Sequence, residues 1–202
     1  MRVIAGKAKG RRLFSVPGQS TRPITDRAKE ALFNILAGSV VDARFLDLFA
    51  GTGSVGIEAL SRGAREVVFV ERHPRALATL QRNLQHTELM EQALVLRRDA
   101  FRYVRRYGGE PFDIIFVAPP QYRGLWERAL NALEGSALLD VESLVVAQIH
   151  PKEYKALGLA QLVLSDQRTY GSTQLCFYTP GAGDRSAPGK SEGGRAEPLA
   201  EQ

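Results

Sequence analysis

The sequence predicts an α/β doubly wound fold, a mostly parallel sheet with helices on both faces. Three observations carry this. Short apolar runs alternate with segments of helical period along most of the 202 residues. The apolar run Phe45–Phe49 stops abruptly at Gly51-x-Gly53-x-x-Gly56, which reads as a buried strand turning through glycines into a helix. The last two strands have little between them, which gives the sheet an antiparallel edge.

Taken in order, Met1–Gly6 and Arg11–Phe14 form a small hairpin around the polar Lys7–Gly10 turn. Pro17–Pro23 is a polar loop suited to ordering on a ligand. Thr25 is placed to cap a helix over Asp26–Ala37, whose Ala28, Leu32, Ile35 and Leu36 recur on one inward face, with Arg27 and Lys29 off it. After the glycine turn, Val55–Arg62 is a helix closed by Gly63. Val67–Glu71 is a continuous apolar strand ending in a carboxylate, and Pro74 opens a helix with Leu77, Leu80 and Leu84 on one face. Ala93–Leu96 is a third strand with Asp99 just beyond it. Phe101 and Val104 mark another helix, ended by Gly108-Gly109. A fourth strand, Phe112–Val117, runs into Ala118-Pro119-Pro120-Gln121-Tyr122. A helix around Trp126–Leu133 and a fifth strand, Leu144–Ile149, follow. Strands near Leu162–Leu164 and Gln174–Tyr178 flank Arg168–Thr173.

The length suits one well-buried domain over 1–180, with 1–25 as a basic hairpin arm and loop. Residues 181–202 hold five glycines, two prolines and one large aliphatic, Leu199, so they are expected to form a disordered tail. No apolar run reaches the roughly 20 residues of a membrane span, and the N-terminus lacks a signal-peptide layout, which predicts a cytoplasmic protein away from membranes; a monomer is expected. The single Cys176 has no partner for a disulfide or a thiolate metal site, so no metal is expected, and it reads as a small hydrophobe in a strand. The formal charge of +5 is uneven: residues 1–30 carry eight Lys and Arg against two acids. Such an arm suits phosphate-backbone binding, with Arg2, Lys7, Arg11, Arg12, Arg22 and Arg27 as contacts. A solvated basic end is the alternative.

In a doubly wound fold, ligands sit beyond the carboxyl ends of the strands, where Asp47, Gly51, Glu71, Asp99 and Ala118 all fall. Glycines at this spacing also fit a nicotinamide or flavin site, and Glu71, 18 residues after Gly53, lies near the spacing of a ribose-binding acid. Each carboxylate has a structural alternative as well: Asp47 as cap of the next helix, Glu71 as a solvated strand end, Asp99 as a turn residue.

From Arg2 to Tyr178 the chain resembles the class I S-adenosylmethionine-dependent methyltransferases, and more narrowly the RsmD family of 16S rRNA guanine-N2 methyltransferases. The resemblance rests on Arg2–Gly6, Arg22-Pro23 with Thr25–Arg27, Glu30–Ile35, the Asp47–Gly56 turn, Val70-Glu71, Asp99, Phe112–Phe116, and Tyr170-Gly171 before Thr173. It implies a Rossmann-like, doubly wound seven-stranded sheet with an antiparallel edge strand and an N-terminal β-hairpin. By the same resemblance Asp47, Gly51, Thr52 and Gly53 hold the methionine end of S-adenosylmethionine. Glu71 holds the ribose, and Asp99 with the Ala100 backbone reads the adenine. The partner implied is ribosomal RNA or a small-subunit particle. In such enzymes the fourth strand ends in Asp or Asn, then Pro-Pro-Tyr or Pro-Pro-Phe, and accepts the two amine protons. Here Ala118 lacks the side-chain acceptor and the aromatic comes one residue late, so the acceptor site is read as Pro119, Gln121 and Tyr122. The other reading of Ala118 is a binding protein on the same scaffold with little activity.

Overall fold

The computed structural model describes residues 1–16 and 24–181, so the Pro17–Pro23 loop with Arg22, and residues 182–202 of the expected tail, lie outside the described residues. The elements are α1 (Asp26–Leu36), β1 (Arg44–Asp47), α2 (Ser54–Ser61), β2 (Glu66–Glu71), α3 (Pro74–Thr87), β3 (Ala93–Arg97), α4 (Ala100–Arg106), β4 (Ile114–Val117), α5 (Leu125–Leu133), β5 (Leu144–Ile149), β6 (Leu162–Tyr170) and β7 (Thr173–Pro180).

One seven-stranded sheet runs β3-β2-β1-β4-β5-β7-β6. β1 to β5 are parallel, and β7 is antiparallel to both β5 and β6, so the closing hairpin inserts β7 and leaves β6 at the rim. From β1 the chain winds outward to β3, then crosses back to β4 on the other side of β1. The order therefore reverses between β1 and β4, where an open α/β sheet offers its binding crevice.

Strand alternation sorts the core into two layers. Phe45, Val67, Phe69, Phe116 and Val146 pack against α1, α2 and α3 through Leu32, Phe33, Ile57, Leu80 and Leu84. Leu46, Val68, Ile115, Val117, Val145 and Ala147 face α4 and α5 through Phe101, Val104, Trp126, Leu130 and Leu133. Each Val, Leu, Ile or Phe among them contributes on the order of 1.5–3 kcal/mol by leaving water. Cys176 is buried in β7 among the second layer.

The first helix begins as expected, with Thr25 Oγ1 accepting from the Ala28 amide at 3.2 Å. Its inward face differs. Ile35 is 41% exposed, while Phe33 and Lys29 are buried. Lys29, expected outside, pairs with Glu58 at 3.2 Å and donates to the Arg2 carbonyl at 2.7 Å. The buried Glu58 carboxylate also accepts from the Ile4 amide at 2.8 Å, the Ala5 amide at 3.0 Å and Arg62 Nε at 2.8 Å.

That arrangement also shortens the N-terminal hairpin. Its pairing reduces to a single Arg2–Arg12 bridge, flanked by Val3 N–H to Arg11 at 3.0 Å and Leu13 N–H to Met1 at 3.1 Å. The amides that would extend the ladder are directed to α2 instead: Ile4 and Ala5 to Glu58, and Lys7 to the Ser61 carbonyl at 2.8 Å. Gly6 has φ +80°, and a Cβ there would strike Ser61, so the hairpin lies backbone-to-backbone on the end of α2. At the other terminus, Arg168–Tyr170 belong to β6 and Thr173 opens β7, leaving only Gly171-Ser172 as the turn.

Glu58→Ala should cost about 3–5 kcal/mol, because it strands the buried Lys29 charge and two hairpin amides. Arg11→Ala, which removes a half-exposed pair with Glu88 at 3.0 Å, should cost under about 1 kcal/mol. Urea denaturation checks both, and limited proteolysis should find the arm cut faster only in the first variant.

Candidate cofactor and substrate site

The C-terminal ends of β1, β2 and β3 each present a carboxylate. Asp47 closes β1 and is only 3% exposed. Its Oδ2 accepts from the Gly56 amide at 3.1 Å, in the first turn of α2, so it caps the helix as one of the sequence alternatives foresaw. Burial, offset by that one amide and reinforced by the nearby Glu71 charge, pushes its carboxyl from 3.8 up to about 7. Glu71, half-buried at the end of β2, accepts from Gly51 N–H at 2.9 Å and His73 N–H at 2.6 Å. Asp99 caps α4, accepting from the Arg102 amide at 3.0 Å, and lies 3.8 Å from Arg72; Ala100 is the first residue of that helix.

The turn itself requires its glycines. Gly51 (φ +54°) and Gly53 (φ +82°) occupy the left-handed region, and a Cβ on Gly51 would meet open space. A Cβ on Gly53 would strike Leu80, and one on Gly56 would strike Phe69, so these two set helix packing. Thr52 is held by its carbonyl, which accepts from Asn83 Nδ2 at 2.9 Å. Asn83 is fully buried and also exchanges hydrogen bonds with Phe14, accepting from its amide at 2.7 Å and donating to its carbonyl at 3.1 Å. The sequence reading missed Asn83, although a polar residue between Leu80 and Leu84 on an inward helix face was the available signal.

At the end of β4, Pro119 is buried, Gln121 is half-buried and Tyr122 is 64% exposed. Tyr122 has φ +60°, and its amide donates to Glu153 Oε1. Glu153 Oε2 accepts from the His150 amide at 3.3 Å, so one carboxylate joins the β4 loop to the end of β5. The Tyr122 and His150 rings lie 5.5 Å apart. Neither Glu153 nor His150 was among the residues expected at the site.

The basic arm divides. Arg11 is clamped by Glu88 and donates to the His86 carbonyl at 2.6 Å, so it anchors the hairpin to α3. Arg2 lies 3.2 Å from Asp26. Lys7, Arg12 and Arg27 are exposed and unpaired among the described residues. Open depressions of about 500 Å³ beside the hairpin (Gly6, Phe33, Asn34, Ala37, Arg62) and about 400 Å³ at the N-terminal ends of β1, β4 and β5 hold none of the strand-end carboxylates. No helix among the described residues is long and apolar enough to cross a membrane.

A doubly wound sheet with this glycine turn and these strand-end acids is the architecture of a class I methyltransferase. The family described as "Conserved hypothetical protein 95" matches residues 1–179. Ribosomal RNA small subunit methyltransferase D of Escherichia coli K12 is 39% identical over 192 residues, covering 95% of this chain and 93% of its own. The Haemophilus influenzae protein of the same name is 38% identical over 151 residues, with 71% and 78% coverage. The solved structure of Escherichia coli yhhF, 35% identical, superposes with a TM-score of 0.80 over 91% of this chain and 99% of its own. The chain belongs to this RsmD family of RNA methyltransferases. The nicotinamide reading is set aside.

Asp47 titrates near pH 7 when folded and near its ordinary 3.8 when unfolded. The native state therefore holds a proton that the unfolded chain releases, and this group makes stability fall as pH rises from about 4 to 7, by up to ~4 kcal/mol. Asp47→Asn should flatten that part of the profile in urea denaturation without cofactor. An equally steep decline in the variant would assign the effect elsewhere.

Proposed function

We propose that this protein transfers the methyl group of S-adenosylmethionine to the exocyclic N2 amine of a guanine in 16S ribosomal RNA, as a cytoplasmic monomer acting on the RNA or the small-subunit particle. The observation that carries this is the order of neighbouring strand ends. β3, β2, β1 and β4 bring Asp99, Glu71, Asp47 with the glycine turn, and Pro119 into one row. At about 4.8 Å per strand the row spans roughly 14 Å, suited to an extended ligand with an adenine at one end and an amino acid at the other.

The donor set fits that ligand. Asp99 and the Ala100 amide suit the adenine, Glu71 suits a ribose diol, and Asp47 with the Gly51–Gly53 backbone suits the ammonium and carboxylate of the methionine end. Burial raises the Asp47 carboxyl toward neutrality, and a cationic partner would favour its ionised form. S-adenosylmethionine supplies a methyl on a sulfonium, so the amine lone pair forms the N–C bond as the S–C bond breaks, and the surplus amine proton passes to water. Pro119 and Gln121 orient the amine as acceptors, and Tyr122 stacks on the base. The names of the Escherichia coli and Haemophilus influenzae relatives support ribosomal RNA as the substrate.

Labelled S-adenosylmethionine incubated with deproteinised 16S RNA or small-subunit particles should leave label on a guanine N2. Absence of label on RNA would overturn the reading. Glu71→Ala should weaken S-adenosylmethionine binding about ten- to a hundredfold by calorimetry. Lys7, Arg12, Arg27 and Arg2 are the arm contacts to phosphate, while Arg22 lies outside the described residues. Neutralising Lys7 and Arg12 should flatten the salt dependence of RNA binding by roughly 0.7–0.9 per contact while cofactor affinity stays put.

A further inference from the structure

We propose that Gln148 supplies the side-chain acceptor that position 118 lacks, which rests on the amine-methylation reading above. β4 and β5 are parallel with Val117 beside Ala147, so Ala118 and Gln148 are the next pair at the strand ends. Phe116 and Val146 face the α1–α3 core layer, whereas Val117 and Ala147 face the other. Alternation then turns Ala118 and Gln148 to the first layer. Two neighbours agree: Ala118 packs against that layer, and Leu175, opposite Gln148 across the β5–β7 pair, belongs to it.

This is also the face of Asp47, whose register partner on β4 is Phe116. Asp47, Ala118 and Gln148 thus occupy one face at the C-terminal ends of three adjacent strands. Gln148 is half-buried, and its carboxamide makes no hydrogen bond within the described residues. A glutamine is long enough to span about 4.8 Å between strands and bring its oxygen over the Ala118 methyl. An asparagine at 118 would hold its own oxygen in the same region.

The aromatic is displaced in the same direction. Glu153 ties the Tyr122 amide to the β5 side, and the ring leans on His150 at 5.5 Å. The amide and the aromatic ring therefore both lie on the β5 side of the β4 end. The guanine amine is held between the Pro119 carbonyl and Gln148 Oε1, with the base on Tyr122. Gln121, beyond Pro120 in the exposed turn, becomes the lesser contact.

Single-turnover methylation of 16S RNA tests this with Gln148→Ala, Gln148→Glu, Gln121→Ala and the double variant Gln148→Ala/Ala118→Asn. Gln148→Ala should slow transfer about ten- to a hundredfold, since the amine gains charge as it reacts, with S-adenosylmethionine affinity within about twofold. Gln148→Glu keeps an acceptor and should retain most activity, and Ala118→Asn should restore the double variant. Wild-type rates in Gln148→Ala, or a loss that Gln148→Glu shares and Ala118→Asn does not relieve, overturn the assignment while leaving methyl transfer intact. A wild-type protein that transfers no methyl overturns both.

Discussion

The Glu58 carboxylate is the constraint on which the rest of the structure depends. It sits in the middle of α2 with no access to water, where an unpaired charge would be prohibitive. Lys29 of α1, Arg62 one turn further along the same helix, and the Ile4 and Ala5 amides of the hairpin together satisfy it. Replacing such a cluster with apolar groups can be neutral for stability, so its effect lies in geometry. It ties α1 and the hairpin to the middle of α2. Because Gly53 is the N-cap of α2, that relation also holds the glycine turn. Lys29 Nζ lies 3.4 Å from Ser54 Oγ, at the first residue of the helix. Asn83 repeats the device from the other side by holding Phe14 and Thr52 with one carboxamide.

The strand order turns this rigid unit into a site. Parallel strands point their carboxyl ends the same way, so every loop that leaves β1 to β5 at that end reaches the same rim. The reversal between β1 and β4 sends the following helices to opposite faces and opens the rim at Asp47 and Ala118. Chemistry then divides by strand: acids on β1, β2 and just past β3, prolines after β4, and amide and imidazole side chains at the end of β5. A one-residue slip in the β4–β5 register would turn Gln148 to the α5 face and remove it from this row.

Most of the elements were legible because their periods are unambiguous. Leu144–Ile149 is a strand from end to end, and Pro74 and Thr25 open helices where they stand. What failed was non-local. Lys29 reads as a solvent charge on an amphipathic helix, and its burial depends on an acid 29 residues away inside a helix that otherwise reads as apolar. The hairpin was drawn too long because nothing in residues 1–14 announces that their amides belong to Glu58 and Ser61. Arg168–Tyr170 look like loop because a rim strand has a wet side, which dilutes the alternation. The place of the three acids at neighbouring strand ends was legible from the apolar runs before them. Gln148 and Glu153 were not, since their meaning comes from register with β4 and from a turn held across two loops.

The two buried carboxylates of the α2 neighbourhood are satisfied to different degrees. Glu58 is met by two cations and two amides, so ionisation there is compensated within the fold. Asp47 is almost as deeply buried but receives one amide hydrogen, and the charge that acts on it, that of Glu71, is of the same sign. A sequence whose levels otherwise agree does not leave a buried acid half-satisfied by accident of packing, because an isosteric amide would cap the helix without the penalty. The cost is tolerated where a positive group arrives from outside. In the proposed reaction that group is the ammonium of S-adenosylmethionine, and the strain carried by the empty protein is returned as binding free energy at the strand end beside the transferred methyl.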